Sequence, residues 1–156
     1  MMARFAQLLI SGHFASGVTR YEDHYSRQEQ FARIVLTVTV ERYLTVRAVV
    51  DTGAPWCILA PETVEQLGIM PRATYAPDER LTIRGISYGG RLLRMKIGLR
   101  AEQEGEDCEI EATVFVPALP PGDTWPHPNF IGLDGFLNRI RFAVDPRENA
   151  FYFGPI

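Results

Sequence analysis

The stretch that decides the fold of this chain is Val49-Val50-Asp51-Thr52-Gly53-Ala54. An apolar run stops abruptly at an acid, although strands are depleted in Asp because an unpaired buried carboxylate is costly. One explanation is a plain turn, in which Asp51 bonds its own backbone and Gly53 adopts a positive φ. The other explanation is acid–base chemistry by a paired carboxylate. The surrounding sequence decides between the two.

The bulk composition is that of an ordinary globular protein. Of its 156 residues, 46% are hydrophobic and 22% charged, which predicts one domain with a substantial core. The net charge is −3 and the 16 basic residues are scattered, so we expect no nucleic-acid partner. No apolar run approaches the roughly 20 residues of a membrane span, and the apolar patch within residues 1–10 is short for a signal peptide, so we expect neither.

The cysteines and histidines predict no metal and no cofactor. Two cysteines, Cys57 and Cys108, do not make a disulfide framework. Both lie among apolar residues, so we expect buried free thiols and, from them, a cytoplasmic location. The three histidines lack metal-ligand spacing with each other or with the cysteines. A nucleophile pair of Cys57 and His127 is disfavoured, because residues 56–59 are typical of a core strand.

Alternating apolar residues predict a mostly β chain. Residues 34–40 and 43–50 each carry apolar side chains at even positions, with a tight turn near Glu41 and Arg42. The same period of two recurs over residues 92–99 and 110–116. Two late strands are predicted near residues 140–144 and 150–153. The chain is therefore predicted to belong to the all-β class.

Helix signals are few. Pro61 at a first turn and Gly68 just past the end predict one short helix, and a second is predicted near residues 133–138. Residues 117–128 contain five prolines and are predicted to form a loop. We interpret residues 1–30 as an N-terminal extension, with strand character only at residues 5–10, and residues 31–156 as one domain.

Residues 81–92 predict a second hairpin with a glycine-rich tip. Glycine permits a positive φ at such a tip. The alternative is an ordinary hairpin without a functional role. The residues of the predicted tip are Gly85, Ile86, Ser87, Tyr88, Gly89 and Gly90.

The order of these pieces resembles the retropepsin family of single-lobe aspartic proteases. The match comprises the apolar residues leading into Asp51-Thr52-Gly53-Ala54, then a flap-like hairpin, then Ile131-Gly132-Leu133-Asp134. A second Asp near a final strand, Asp145, follows. The resemblance covers about residues 33–154. It implies a closed β-barrel, the half-lobe of an acid protease, with one or two short helices.

The resemblance also implies a function. Each subunit of this family supplies one Asp-Thr-Gly, so the chain is expected to act as a homodimer that places Asp51 opposite the partner's Asp51. Two carboxylates about 3 Å apart share one proton, so one activates water and the other donates to the substrate carbonyl. Thr52 would bond across the two-fold axis, Gly53 would donate its N–H to the carboxylate, and Ala54 would complete the support. The implied activity is acidic endopeptidase cleavage of a protein or peptide.

One position departs from the family pattern. Pro55 follows Ala54 where the family usually carries Ser, Thr or Asp, and proline has neither an N–H nor a side-chain donor. The alternative is therefore a catalytically weak or inactive module of the same fold that binds a peptide or dimerises. A third reading is a protease held inactive by residues 1–30 or by dissociation.

Overall fold

Strands account for almost all regular structure in the computed structural model, which describes residues 14–68, 79–103 and 105–156. The described helices are α1, Pro61–Glu65, and a 3₁₀ turn, Leu137–Arg139. These features confirm the predicted all-β class with short helices. The described strands are β1 Gly17–Arg20, β2 Val35–Val40, β3 Leu44–Val50, β4 Cys57–Ile58, β5 Glu79–Ile83, β6 Ile86–Leu99, β7 Cys108–Pro117, β8 Asn129–Ile131, β9 Ile140–Asp145 and β10 Ala150–Pro155.

Six strands close into a barrel, as the resemblance implied. Their order is β2-β3-β8-β4-β7-β6, and two residue pairs join β6 back to β2. One of these pairs is Thr39 with Gly98. A Cβ on Gly98 would lie 2.4 Å from the Thr39 hydroxyl oxygen, so a larger residue here would have to displace the Thr39 side chain. Strand β5 pairs with the first half of β6 and projects from the barrel as a hairpin.

The β2–β3 hairpin follows the predicted alternation. Leu36, Val38 and Val40 are buried in the barrel core, whereas Thr37 between them is exposed. The turn at Glu41 and Arg42 has φ of 52° and 61°. The connection between the strands is three residues long, and the N–H of its third residue, Tyr43, donates to the Val40 carbonyl oxygen at 3.1 Å. Two consecutive positive φ values match the twist of the strands on either side. The hairpin carries β3 to Asp51 in a defined register.

Strand β6 is longer than the sequence indicated. The second arm of the predicted hairpin and the predicted strand over residues 92–99 form one continuous strand of 14 residues. Its second half alternates into the core, whereas its first half is mostly half-buried and pairs with β5. Because the two halves have different surroundings, no single period of two runs through the whole element.

A three-stranded sheet with the order β1-β10-β9 stands beside the barrel. Strand β1 belongs to the predicted extension and pairs with β10 from Gly17↔Phe153 to Arg20↔Ala150. Its residues lack a long apolar alternation, so the sequence did not indicate this strand. The predicted strand character at residues 5–10 lies outside the described residues.

Two parallel pairings position the candidate site. Strand β3 pairs in parallel with β8, through Ala48↔Asn129, Val49↔Phe130 and Val50↔Ile131. Parallel strands end at the same edge of a sheet. The residues that follow β3, beginning with Asp51, therefore meet the residues that follow β8, beginning with Gly132.

Gly132 lets these two exits pack together. A Cβ at this position would lie 2.1 Å from the backbone oxygen of Trp56 and 2.3 Å from its carbonyl carbon. Backbone atoms cannot move aside as the end of a flexible side chain can. The packing of residues 54–57 on the end of β8 therefore depends on the missing side chain.

We expect Gly132→Ala to lower the free energy of unfolding by about 3 kcal/mol or more, because the added methyl overpacks rigid backbone. Gly122→Ala is the matched control. Gly122 has a φ of +87° and no atom within 4 Å of an added Cβ, so its substitution adds backbone strain alone, about 1 kcal/mol. Urea denaturation of both variants measures the difference. Equal destabilisation would contradict the close packing at Gly132.

Candidate active site

Asp51 lies where β3 leaves the sheet. Its backbone N–H donates to the carbonyl oxygen of Ile131 at 2.9 Å, which continues the β3–β8 pairing by one residue. The N–H of Gly53 then donates to the Asp51 Oδ1 at 2.9 Å, and the N–H of Ala54 to the Asp51 carbonyl oxygen at 3.1 Å. The Asp51 side chain is thus held at its base and partly exposed.

Gly53 permits this close contact. A Cβ there would lie 3.2 Å from the Asp51 Oδ1, closer than most side chains come to a neighbouring atom. The residues on this loop differ in exposure: Thr52 and Gly53 are exposed, whereas Ala54 is buried. The loop therefore presents the Asp51 carboxylate and the Thr52 side chain outwards and anchors itself through Ala54.

Backbone hydrogen bonds tie the loop to the exit of β8. Leu133 N–H donates to the Ala54 carbonyl oxygen at 2.9 Å, and Asp134 N–H to the Pro55 carbonyl oxygen at 2.7 Å. Pro55 thus contributes an acceptor although it has no N–H. The Asp134 side chain accepts a hydrogen bond from Asn138 at 3.4 Å, which is a structural contact within the turn.

A cavity of about 380 Å³ opens beside Asp51, and we call it the Asp51 cavity. Its floor comes from Asp51, Gly53, Ala54 and Pro55. Its other walls are residues 81–84 of the β5–β6 hairpin, residues 126–128 of the proline-rich loop, and Glu29 with Arg33 from the segment before β2. Four separate parts of the chain therefore converge on the carboxylate.

The hairpin exists, but its turn is shorter than predicted. Arg84 and Gly85 form the turn, with φ of 49° and 82°. Ile86, Ser87, Tyr88, Gly89 and Gly90 lie in β6 and pair with β5. Of the predicted tip, only Gly85 is in the turn, and the hairpin residues that line the Asp51 cavity are 81–84. Gly90 is needed for packing, because a Cβ there would lie 2.5 Å from the Phe115 ring.

Tyr88 faces the proline-rich loop. Its hydroxyl lies 3.2 Å from the His127 Nε2, within hydrogen-bonding distance. Its ring meets the rings of Trp125 and His127 edge to face, with centroids 4.9 and 5.7 Å apart. Such aromatic contacts favour a fixed geometry. The hairpin is thereby joined to the loop that carries His127 into the Asp51 cavity.

His127 stays neutral over a wider pH range than a free histidine. Burial lowers the pKa of His127, and the positive charge of Arg84 lowers that pKa further. Because a lowered pKa favours the uncharged imidazole, this wall of the cavity carries little positive charge from His127 itself.

The segment before β2 is fixed by Arg47 of β3. The Arg47 guanidinium donates to the carbonyl oxygen of Tyr25 at 2.8 Å and to the Glu22 carboxylate at 2.9 Å, and it lies 5.1 Å from the centroid of the Tyr25 ring. Tyr25 N–H in turn donates to Glu29 at 3.3 Å. Sequence reasoning missed this wall, because its contacts are between residues far apart in the chain.

Other chemistries have little support in the described residues. Burial raises the pKa of the Cys57 thiol to about 11, which leaves it protonated and unreactive. Both Cys57 and Cys108 are free thiols. Within residues 14–68, 79–103 and 105–156, no group of three or more His, Cys, Asp or Glu could hold a metal. No helix in those ranges is long and apolar enough to cross a membrane.

Comparisons with known proteins establish the fold. No family model and no curated protein matches the chain. Among solved structures, it is similar to a retropepsin-like aspartic protease from Rickettsia conorii, with 16% identity and a TM-score of 0.57 over 90% of this chain and 94% of that one. EIAV protease in complex with an inhibitor also matches, at 14% identity and a TM-score of 0.45 over 74% and 92%. The chain thus has a retropepsin-like fold.

Proposed function

We propose that this protein is an aspartic endopeptidase that acts as a homodimer on an extended polypeptide segment. The observation that carries the proposal is the setting of Asp51 within a retropepsin-like barrel. Its carboxylate is partly exposed, accepts the Gly53 N–H at 2.9 Å and borders a cavity of about 380 Å³. This is the geometry that a carboxylate needs in order to reach a bound substrate.

The dimer is part of the proposal because one protomer carries one Asp-Thr-Gly. Activation of water and protonation of the substrate carbonyl call for two carboxyl groups. A two-fold axis beside the exposed Thr52 and Gly53 brings the Asp51 carboxyl of each protomer to the same site. The Thr52 hydroxyl then bonds across the axis.

The proposed reaction uses one shared proton between the paired carboxyl groups. The ionised Asp51 takes a proton from water as the water oxygen attacks the substrate carbonyl carbon. The protonated Asp51 of the pair gives its proton to the carbonyl oxygen. Collapse of this tetrahedral diol breaks the carbon–nitrogen bond: the Asp51 that took the water proton gives it to the leaving nitrogen. The other Asp51 takes a proton from a diol hydroxyl, which restores the shared proton and leaves a carboxylic acid and an amine. Because one carboxyl group must stay protonated, we expect an acidic to mildly acidic optimum.

The β5–β6 hairpin is the proposed flap over the substrate. Its β5 strand, the last strand in the order of its sheet, lines the Asp51 cavity with residues 81–83, and Arg84 of the turn lines it too. An extended peptide binds such an edge by main-chain hydrogen bonds, with alternate side chains in pockets. In this proposal Tyr88 supports the flap through its contact with His127.

The proposed partners are a second copy of this chain and a protein or peptide substrate. A net charge of −3 without clustered basic residues gives no basis for nucleic-acid binding. We propose the cytoplasm as the location, because reducing compartments maintain free thiols such as Cys57 and Cys108.

Pro55 favours one alternative, a module of the same fold that binds a peptide without cutting it. Because Pro55 offers no N–H, a donor that would orient the carboxylate from outside the loop is missing at this position. The two functions differ in one measurable respect: only the protease loses an activity when Asp51 is neutralised.

We expect Asp51→Asn to reduce peptide cleavage by at least about 1,000-fold while the protein stays folded, because the amide is neither a base nor an acid. Cleavage of a diverse peptide pool from about pH 3.5 to 7.5 tests this, with the optimum in the acidic half. Asp134→Asn is the matched control and keeps its activity, because Asp134 bonds Asn138 within a turn. Full activity of Asp51→Asn would refute the assignment; a folded, inactive parent dimer would favour the binding module.

We expect Thr52→Ala to weaken dimerisation about tenfold, because the proposed cross-axis hydrogen bonds are lost from both protomers. Sedimentation across low micromolar concentrations measures the dimer fraction. Thr45→Ala, an exposed position on β3, serves as the control and leaves the dimer unchanged. Unchanged dimerisation of Thr52→Ala would rule out the cross-axis role.

A further inference from the structure

Two arginines reach the Asp51 cavity from different walls. Arg33 comes from the segment before β2, and Arg84 comes from the turn of the β5–β6 hairpin. Guanidinium groups keep their positive charge at every pH at which a protein is folded. The cavity therefore holds two permanent positive charges close to the candidate catalytic carboxylate.

Arg33 is held in place from one side only. Its Nε donates to the Glu29 Oε1 at 2.5 Å, and its backbone N–H donates to the Asp23 carbonyl oxygen at 2.7 Å. Both side chains of the pair are 17% exposed. Among the described residues, no acceptor engages the two Nη groups of Arg33. The forked end of its guanidinium is thus available to a ligand, and that end suits a carboxylate geometrically.

Arg84 has no ion-pair partner among the described residues. It occupies the first position of the turn and is exposed. Arg84 nevertheless lines the Asp51 cavity together with His127 of the facing loop, and its charge contributes to the lowered pKa of His127. Arg84 is therefore close enough to the cavity wall to attract an anion bound there.

The Asp51 cavity carries more positive than negative charge. Glu29 accepts from Arg33 and from the Tyr25 N–H, so its carboxylate is already engaged by the protein. In the proposed dimer, two Asp51 carboxyl groups share one proton and one negative charge. Glu29 offsets the charge of Arg33, but the two Arg84 guanidinium groups of the dimer exceed the single Asp51 charge, which favours an acidic ligand over a basic one.

We propose that the Asp51 cavity selects substrates with an acidic side chain close to the scissile bond, and that Arg33 and Arg84 determine this specificity. The inference rests on the proposed endopeptidase function. The Arg33 fork binds the carboxylate end-on, and Arg84 approaches it from the hairpin as the flap covers the substrate. The apolar residues Ile58, Ile83 and Phe130 line the same cavity and pack against the methylene groups of the substrate's acidic side chain.

The test uses peptide pairs that differ only in Glu against Gln at each position around the cleavage site. At about pH 5.5, we expect the parent enzyme to favour Glu by about 5- to 20-fold in kcat/KM at one position. The preference falls at about 0.5 M salt, which screens charges. It also falls below about pH 4.3, where the substrate Glu becomes protonated and neutral.

Variants assign the preference to its residues. Arg84→Gln, at an exposed turn position, and Arg33→Gln each reduce the Glu/Gln ratio several-fold. Arg33→Lys retains part of it, because it keeps the charge but loses the fork. Arg27→Gln is the control: Arg27 is exposed, lies in the same segment as Arg33 and does not line the Asp51 cavity, so the ratio is unchanged.

Binding to Asp51→Asn separates this inference from the proposed function. Fluorescence anisotropy with labelled Glu and Gln peptides measures the preference without any cleavage. Tighter binding of Glu peptides, lost in the double variants with Arg84→Gln or Arg33→Gln, supports the inference even if the parent cuts nothing. Equal binding and equal cleavage of the two peptides, or a ratio unaffected by both arginine variants, would overturn it.

Discussion

The whole candidate site depends on the contact between the exits of two parallel strands. Strand β3 continues to Asp51, which bonds Ile131 at the end of β8, and the chain then turns back so that Ala54 accepts from Leu133. This return is sterically allowed only because Gly132 carries no side chain against the Trp56 backbone. A carboxylate at the edge of a sheet is thereby held by backbone atoms rather than by flexible side chains. Backbone support of this kind gives a reactive group a fixed position.

Different contacts hold the separate walls of the Asp51 cavity in place. The floor is the rigid loop after β3, and the hairpin wall is joined to the proline-rich loop by Tyr88 and His127. The remaining wall, with Glu29 and Arg33, is connected to the barrel through Arg47. Arg47 lies on β3, the strand that leads into Asp51, so a single strand positions both the carboxylate and the segment with Glu29 and Arg33.

Local patterns made most of the barrel predictable from the sequence. The alternation over Leu36, Val38 and Val40, the turn at Glu41 and Arg42, and the helix after Pro61 all reflect interactions between residues close in the chain. The loop with Asp51, Thr52, Gly53 and Ala54 was equally predictable, because its composition is unusual at the end of a strand.

Contacts between distant residues escaped prediction. Strand β1 is short and becomes a strand only by pairing with β10, and Glu29 reaches the cavity only because Arg47 holds its segment. The turn of the β5–β6 hairpin was predicted several residues too late. Glycine occurs where the backbone needs a positive φ, but also where the chain packs too closely for a side chain. Gly90 illustrates the second case, since it lies against Phe115 and not in the turn.

The parallel pairing of β3 with β8 also sets the order of events during synthesis. Val50 pairs with Ile131, about 80 residues later in the chain, whereas β2 lies next to β3 in sequence. The β2–β3 hairpin can form early on a nascent chain, but the support for Asp51 arrives only when β8 has left the ribosome. Pairings between such distant segments form slowly. A nascent chain that still lacks β8 therefore displays the Asp51 carboxylate without the backbone contacts that hold it.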